Sequence, residues 1–317
     1  MTGTGGDETL EDQTTIPTAA VDSFSVLANE TRLSILLTLW EAQYGAKGPD
    51  SLAFSELRER VGMRDSGQFN YHLETLTDRF IKKTEVGYGL TYGGARFIRT
   101  ILAWEPADSP TIEPTKLDRH CPFCGAPIEI SYSEEFVAVD CTQCKGFGSA
   151  IDGALQKGPL PPAGVVGRTP DEVLLIAVIY HLHLTDPMLK GVCPECTAPV
   201  ERRLRCCSDH DASDGSCTAC GSRFLGTIPM HCQNCYAPNL APVWNLVMQH
   251  PAVISFFYDR DIELWKDPWE GLFTNGANAE EVPVNDGEGI RLTFAAAGDN
   301  ISVDVQEDLT MAVTDLS

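Results

Sequence analysis

Between residues 54 and 92, the apolar positions follow first a helical period and then a strand-like one. Two helical runs carry them: Phe54, Leu57 and Val61, then Phe69, Leu73, Leu76 and Phe80. The second run begins at residue 67 or 68 and has one narrow apolar stripe, which we expect to face a core. Two strand-like runs, 80–86 and 90–92, flank Gly87-Tyr88-Gly89 and predict a hairpin.

Helices are also predicted on both sides of this segment. Upstream, apolar residues at helical spacing follow Asn29, a residue type that caps helix N-termini, as far as Trp40. Downstream, residues 95–103 form a closing helix. The residues that stay outside the stripe near the start of the second helix are Arg64, Ser66, Gly67, Gln68, Asn70 and Tyr71. Most are types that hydrogen-bond to base edges and phosphates when a helix enters a major groove.

The run Leu27-Ala28-Asn29-Glu30-Thr31-Arg32-Leu33 and the later His72-Leu73-x-x-Leu76 resemble signatures of ArsR-type winged helix-turn-helix transcriptional regulators. The resemblance covers residues 20–104. It implies that the second helix reads double-stranded DNA, that Lys82, Lys83 and Tyr88 on the wing touch backbone or minor groove, and that two copies pair through terminal helices. Val21–Leu27 and Phe97–Leu102 are the apolar segments we expect at that homodimer contact.

The formal net charge of −22 argues against DNA binding at first sight, because nucleic-acid-binding proteins usually have a basic face. The charge is uneven: residues 20–105 hold 10 Lys+Arg and 11 Asp+Glu, so the remaining 13 basic and 34 acidic residues carry −21. Such acidity suits a halophilic cytoplasm of molar salt, as in halophilic archaea. At about 1 M salt the Debye length is only about 3 Å, which screens long-range repulsion from DNA.

The chain is expected to be cytoplasmic, since its longest apolar run, 173–180, is too short for a bilayer and no leader peptide opens it. Ten of its twelve cysteines form Cys-x2-Cys pairs. In a reducing compartment this pattern indicates metal binding rather than disulfides.

The first two pairs are separated by sixteen residues that read as a hairpin, 128–132 and 136–139. Their ligands are Cys121, Cys124, Cys141 and Cys144. Four thiolates on such a hairpin resemble a zinc ribbon. An iron–sulfur centre is the alternative that the ligand set leaves open.

The second cysteine region offers eight ligands for two further zinc ions. They are Cys193, Cys196, Cys207, His210, Cys217, Cys220, Cys232 and Cys235. In a nested pairing the outer four bind one ion and the inner four bind another at the hairpin tip, whereas in an interleaved pairing the first pair joins the third. Matched arms of 11 and 12 positions favour nesting. Cys206 and His231 remain as substitutes.

We expect an α+β multidomain protein: a winged helix-turn-helix, two zinc-ribbon regions and a small C-terminal α+β region with an antiparallel meander. The predicted boundaries are 1–18 disordered tail, 19–104 DNA-binding domain, 105–118 linker, 119–150 zinc ribbon, 151–169 linker, 170–241 helix with two-zinc ribbon, and 242–317 helices and sheet. The helix at 169–184 carries His181 and His183, which we interpret as ordinary helix residues. Two short helices broken by Pro251 precede three strands around Ile290–Phe294, Ile301–Val305 and Met311–Val313.

The predicted function is a sequence-specific transcriptional regulator with about three structural zinc ions. The alternative is a basal factor, because a winged helix followed by a zinc ribbon also resembles the archaeal initiation factor related to the large factor E subunit, which acts through polymerase contacts. An enzyme is not expected, because protein ligands fill every predicted zinc position and no nucleophile–base pair is visible. A metal or redox sensor is less favoured, because the predicted helices carry no sensor cysteines.

Overall fold

The computed structural model describes residues 25–45, 51–104, 110–148 and 153–316. The predicted disordered tail, 1–18, lies outside them. The chain divides into two compact units, Met1–Glu105 and Pro106–Ser317, each with its own apolar core. Both units contribute to a mixed α+β architecture of helices and several small sheets.

Besides helical residues at 25–27, the described part of the first unit has four helices and one hairpin. In chain order these are α1 Glu30–Tyr44, α2 Phe54–Val61, α3 Ser66–Leu76, β1 Ile81–Lys83, β2 Tyr88–Leu90 and α4 Tyr92–Trp104. Asn29 caps α1 as expected, accepting a hydrogen bond from the Arg32 N–H at 3.1 Å. Helix α1 contacts α2, α3 and α4, so it forms the centre of this unit.

The apolar stripe of α3 faces the core, as its period predicts. Phe69, Leu73 and Leu76 are at most 1% exposed, and Phe80 is half-buried beyond the helix end. His72 is also buried, next to the stripe. Burial and nearby Arg32 both lower its pKa, which favours the neutral imidazole.

The hairpin differs from its prediction in where it turns. Strands β1 and β2 pair with Lys83 opposite Tyr88, and the turn spans residues 84–87 rather than Gly87-Tyr88-Gly89. Gly87 has a φ of +158°, and an added Cβ would lie 2.0 Å from the Leu52 carbonyl oxygen. The turn therefore ends at the glycine, where the backbone approaches residue 52, and Tyr88 becomes part of the strand.

The second unit contains three four-stranded antiparallel sheets and most of the apolar core. The first sheet has the order β3 Ile112–His120, β4 Pro127–Ser133, β5 Phe136–Cys141 and β6 Ala154–Pro159. In the second, β9 Gly226–Cys232 pairs with β7 Val200–Arg202, β8 Arg205–Cys206 and β10 Pro238–Pro242. The third has the order β11 Glu280–Val284, β12 Gly289–Ala296, β13 Asp299–Val305 and β14 Met311–Leu316.

Both predicted linkers contain strands, so the predicted boundaries at 105–118 and 151–169 are wrong. Strands β3 and β6 form the two edges of the first sheet, and Leu117, Leu155 and Leu160 are buried. Proline and glycine suggested loops, but an edge strand tolerates both because one side needs no hydrogen-bond partner. The edges also supply backbone partners for β4 and β5.

Helix α5, Pro170–Leu189, is the long helix of this core. Thr169 and Glu172 form a capping box at its start, and the helix runs five residues beyond its predicted end. Within the described residues it is the one helix long and apolar enough to span a membrane, a test that core helices also pass. It packs here against β3, β9 and β10, with Leu174 and Ala177 on its buried side.

Two short helices, α6 Val243–Val247 and α7 Pro251–Tyr258, precede the last sheet, close to their predicted places. The predicted three-stranded meander is present with a fourth strand, β11, on its edge. Its apolar side packs on the helices, since the Phe257 and Phe294 rings lie 6.1 Å apart. Residues 269–277 form a π-helical turn and a short helix between α7 and β11.

Candidate functional site

Cys and His side chains lie close together in three separate groups in the second unit. We name them the ribbon group (Cys121, Cys124, Cys141, Cys144), the base group (Cys193, Cys196, Cys232, Cys235) and the tip group (Cys207, His210, Cys217, Cys220). Within each group the candidate ligand atoms all lie within 4.8 Å of one another. This proximity is what a four-coordinate metal site requires.

The ribbon group lies at one end of the first sheet. The Cys121 and Cys144 sulfurs are 3.6 Å apart, and those of Cys124 and Cys141 are 3.4 Å apart. A disulfide would need about 2.05 Å. Four sulfurs around zinc at about 2.3 Å from the ion would be about 3.8 Å apart, close to the observed spacing. The residues therefore fit a tetrahedral metal and not a disulfide.

In the ribbon group, backbone N–H groups favour the thiolate form of Cys141. Desolvation raises the pKa of Cys141, but the N–H groups of Cys144 and Gln143 outweigh it and lower that pKa to about 7. Those two donors lie 3.3 and 3.4 Å from the Cys141 sulfur. Burial of Cys121 instead raises its pKa. A metal ion would supply the positive charge that this buried thiolate needs.

The base group joins a turn before β7 to the end of β9. The sulfurs of Cys193 and Cys235 are 3.6 Å apart, and those of Cys196 and Cys232 are 3.5 Å apart. The Cys235 N–H donates to the Cys232 sulfur and lowers the pKa of Cys232 to about 6. Because Cys232 pairs with Val200 across the sheet, the metal site and the strand pairing hold the same two segments together.

The tip group lies in a segment, 207–225, that has no strand or helix of its own. His210 Nδ1 is 3.6 Å from the Cys220 sulfur, while its Nε2 is 3.3 Å from the Arg223 carbonyl oxygen. A metal-bound histidine usually donates its other ring N–H in this way, which fixes the tautomer. The Asp211 N–H lowers the pKa of Cys217 to about 6. The group thus fits a metal with His210 bound through Nδ1.

These two groups are the nested arrangement, and the interleaved arrangement is not observed among the described residues. Strand β9 explains the result, because it pairs with β7 next to the base group and with β8 next to the tip group. Neither substitute ligand joins a group. Cys206 lies in β8, and His231 faces Glu201 at 3.4 Å.

The predicted nucleic-acid face surrounds the start of α3. Arg64, Ser66 and Gln68 are exposed, and Tyr71 is 63% exposed. Asp65 caps the helix by accepting a hydrogen bond from the backbone N–H of Gln68 at 2.8 Å. The side chain of Gln68 is exposed to solvent. Asn70 is half-buried, so part of its side chain is accessible. Its side-chain amide, however, already donates a hydrogen bond to the Glu74 carboxylate at 2.8 Å. This amide must leave Glu74 before it can contact a base.

The three hairpin residues predicted to contact DNA differ in their exposure to solvent. Lys82 and Lys83 are both exposed on β1. Tyr88 is half-buried against the core of the first unit, and its backbone pairs with Leu52 through hydrogen bonds of 2.9 Å. The lysines are therefore accessible to a phosphate backbone, whereas the tyrosine contributes mainly to packing.

Two buried polar features carry no sequence signal. Glu281 on β11 accepts hydrogen bonds from the N–H groups of Leu225 and Gly226, at 2.7 and 3.3 Å. Asn245 on α6 is 3% exposed and lies in the wall of a cavity. Neither belongs to a motif, and each acquires its surroundings from segments far away in sequence. Sequence reasoning missed both for this reason.

Two family models match the chain. One is described as a domain of unknown function (DUF7351) and matches residues 118–311, and the other as a domain of unknown function (DUF7347) and matches residues 20–101. The DUF7351 match spans more than half of the chain, so the chain belongs to that family. No curated protein and no solved structure matches it.

Proposed function

We propose that this member of the DUF7351 family is a sequence-specific regulator of transcription that binds double-stranded DNA through its first unit. The observation that carries the proposal is the two-sided character of α3. One side is buried through Phe69 and Leu73, and the other presents Ser66, Gln68 and Tyr71 to solvent. In a winged helix-turn-helix protein, the corresponding second helix enters the major groove.

The exposed groups suit base reading. A glutamine amide can donate and accept at the same time, which matches the adjacent N6 and N7 atoms of adenine. Gln68 lies in the first turn of α3, the part of a recognition helix that reaches base edges. Its side chain makes no hydrogen bond within the described part of the first unit, so binding would cost no internal contact.

The hairpin supplies charge without sequence information. Lys82 and Lys83 are exposed on β1, and no salt bridge is formed by either within the described residues. Lysines on a wing contact phosphates or the minor groove. We therefore infer that α3 determines which sequence is bound and that the hairpin contributes to the affinity for any sequence.

Apolar side chains that the first unit leaves in solvent support a homodimer. Leu37 and Tyr44 on α1 and Leu102 on α4 are between 39% and 49% exposed. The predicted contact segment at 21–27 lies mostly outside the described residues. Two copies joined through such helices would place their recognition helices about 34 Å apart and require an inverted-repeat site. Light scattering in molar salt should show a dimer at micromolar concentration, and a monomer would contradict this arrangement.

The three metal groups are proposed to hold structural zinc. Their donors are eleven thiolates and one imidazole, the ligand types that zinc prefers, and each group supplies four of them. Because protein ligands fill all four positions, zinc would cross-link the turns and leave no position open for a substrate. Elemental analysis should find about three zinc ions per chain, whereas iron with a visible chromophore would contradict zinc.

Selection from a random double-stranded DNA library tests the DNA proposal. The full chain, in molar salt, should enrich one inverted-repeat sequence. Gln68→Ala and Asn70→Ala should relax specificity, because each amide contact to adenine is worth about 1 to 3 kcal/mol. The Lys82→Ala, Lys83→Ala double variant should weaken all sequences alike, while Lys157→Ala, an exposed lysine of the second unit, should change neither property.

Two outcomes would count against this function. Unchanged affinity and specificity in the Gln68, Asn70 double variant would show that α3 does not read bases. Failure to enrich any sequence would remove the regulator hypothesis and favour the basal factor, which acts through polymerase contacts.

A further inference from the structure

A cavity of about 150 Å³ lies inside the second unit, between α5, α6 and the first sheet. Aromatic rings form much of its wall. Phe147 stacks on Phe273 with centroids 5.4 Å apart, and Trp244 meets Phe273 edge-on at 5.7 Å. An apolar cavity of about this volume can hold one benzene ring. The size and the walls therefore suit a single planar ring.

Polar side chains in the same wall lack hydrogen-bond partners. Asn245 is 3% exposed, and neither its amide oxygen nor its amide nitrogen has a partner in the part of the chain that the structure describes. The indole N–H of Trp244 and the Oε1 of Gln156 are likewise buried and unpaired there. Folded proteins satisfy about 90% or more of their buried polar groups, and each unpaired one is costly. These four atoms belong to residues that line one cavity, where a polar ligand could pair with them.

Two further polar residues line the wall: Lys157, which is exposed, and His181. Asn239 donates to the Thr185 hydroxyl oxygen at 3.1 Å, and that oxygen is 3.4 Å from His181 Nε2. The threonine hydroxyl can then donate to Nε2, which places the histidine proton on Nδ1. Burial lowers the pKa of His181 and so favours the uncharged ring.

We propose that this cavity binds a small, neutral, planar ring that carries an amide-like edge, such as an aromatic amide or a nucleobase-like heterocycle. Asn245 would pair with adjacent C=O and N–H groups of the ligand, and the Trp244 N–H would donate to a second acceptor. Phe147 and Phe273 would cover the ring. Lys157 also lines the cavity, but it is exposed, and the buried groups Asn245, Trp244, Gln156 and His181 offer no charge to compensate the desolvation of a charged ligand. The proposal does not depend on DNA binding.

Three small probe molecules test the roles of the ring, the amide and the charge separately. Benzamide has both the ring and the amide, benzene has the ring alone, and benzoate replaces the amide by a charge. Each is titrated into the full, zinc-loaded chain while the five tryptophan indole N–H signals are followed by nitrogen-15 NMR. Trp244→Phe identifies the Trp244 signal by its loss, and Trp265→Phe, at a tryptophan 52% exposed, is the matched control.

The expected result is saturable binding of benzamide that shifts the Trp244 signal and leaves the Trp265 signal unchanged. Benzoate should not bind, and benzene should bind more weakly than benzamide. Asn245→Leu keeps the branched shape and the number of side-chain heavy atoms but removes both polar amide atoms, so it should lower benzamide affinity at least about tenfold. The same variant should melt no lower than the wild type, because it removes two unpaired polar atoms.

Other outcomes would overturn the proposal. If no probe shifts the Trp244 signal, the cavity holds only water, which could pair with the same polar atoms. Equal benzamide affinity in the wild type and in Asn245→Leu would remove the amide-recognition step, and benzoate binding as tight as benzamide would remove the neutral class. Should Asn245→Leu fail to fold, Trp244→Phe supplies the comparison, since it deletes one donor and keeps an aromatic ring; binding is then followed by the signal of Trp269, whose ring stacks on Phe273 at 4.3 Å.

Discussion

The two units of this chain use different means to hold their folds together. The first buries Leu36, Leu57, Phe69 and Leu73 in one compact core and contains no cysteine. The second has a larger apolar core and, in addition, all twelve cysteines. The three metal groups lie at turns of the second unit, where the local segments are too short to bury a core of their own.

The tip group is the extreme case. Segment 207–225 has no regular strand or helix, and only Ser216, Cys217, Phe224 and Leu225 are buried along it. The ribbon group differs, because its turns extend from strands whose apolar residues, such as Ile128 and Val139, are fully buried. Loss of a metal should therefore disorder the tip completely and the ribbon turns only locally.

Metal removal is expected to have the largest effect. A strong chelator should disorder the tip segment and loosen the ribbon and base turns, because structural zinc contributes about 10 to 16 kcal/mol per site in zinc-finger peptides at neutral pH. The first unit should keep its helices and its proposed DNA binding. Circular dichroism and DNA titration after chelation measure the two responses. Loss of helix signal and DNA binding together would contradict the independence of the units.

A smaller effect is expected from removing one ion. Cys207→Ser and Cys217→Ser should each reduce the metal content from three ions per chain to two, and combining them should cause no further loss, since both belong to the tip group. Cys206→Ser is the matched control and should retain all three. Elemental analysis of the purified variants provides the measurement. Disturbance of the base group by Cys217→Ser would contradict the nested arrangement.

The first unit should respond to truncation of its core and not to metal. Leu73→Ala, at a residue 1% exposed, should lower the free energy of unfolding by about 2 to 5 kcal/mol because it leaves a cavity. Its zinc content should stay unchanged. Val86→Ala, at a residue 73% exposed, serves as the control and should change stability by less than about 0.5 kcal/mol. Denaturant unfolding that gave equal losses for both would refute the buried stripe.

The smallest of these effects concerns pH in the second unit. Burial raises the pKa of Glu281 to about 7, despite the two N–H groups that donate to it. The folded state therefore holds a proton that the unfolded state releases near pH 4.5, so this group stabilises the fold at pH 5 and the contribution is lost as pH rises to about 7. The loss should be about 2 to 3 kcal/mol.

Glu281→Gln should remove this dependence, because an amide oxygen accepts the same hydrogen bonds without ionising. Denaturant unfolding of both proteins between pH 5 and pH 8 isolates the effect as a difference, which cancels the titration of the metal ligands. The variant should gain stability relative to the wild type as pH rises. A constant difference across this range would show that Glu281 titrates normally.

Much of the first unit could be predicted from the sequence because its signals are local. The helical period of Phe69, Leu73 and Leu76 and the capping residue Asn29 each depend on neighbours within about one turn. The same holds for each Cys-x2-Cys turn, where the spacing of the two cysteines is enough to let both sulfurs face one ion. These features require no knowledge of distant contacts.

What the sequence by itself determined, then, is the longer helices, the ligand types and the cysteine turns. The tertiary structure decided which turns share an ion, that 112–120 and 154–159 are edge strands, and that Tyr88 packs inward. It also brought Gln156, His181 and Asn245 around one cavity. The physical reason is that strand pairing and side-chain burial depend on partners far away along the chain, and no local period of residues identifies such partners.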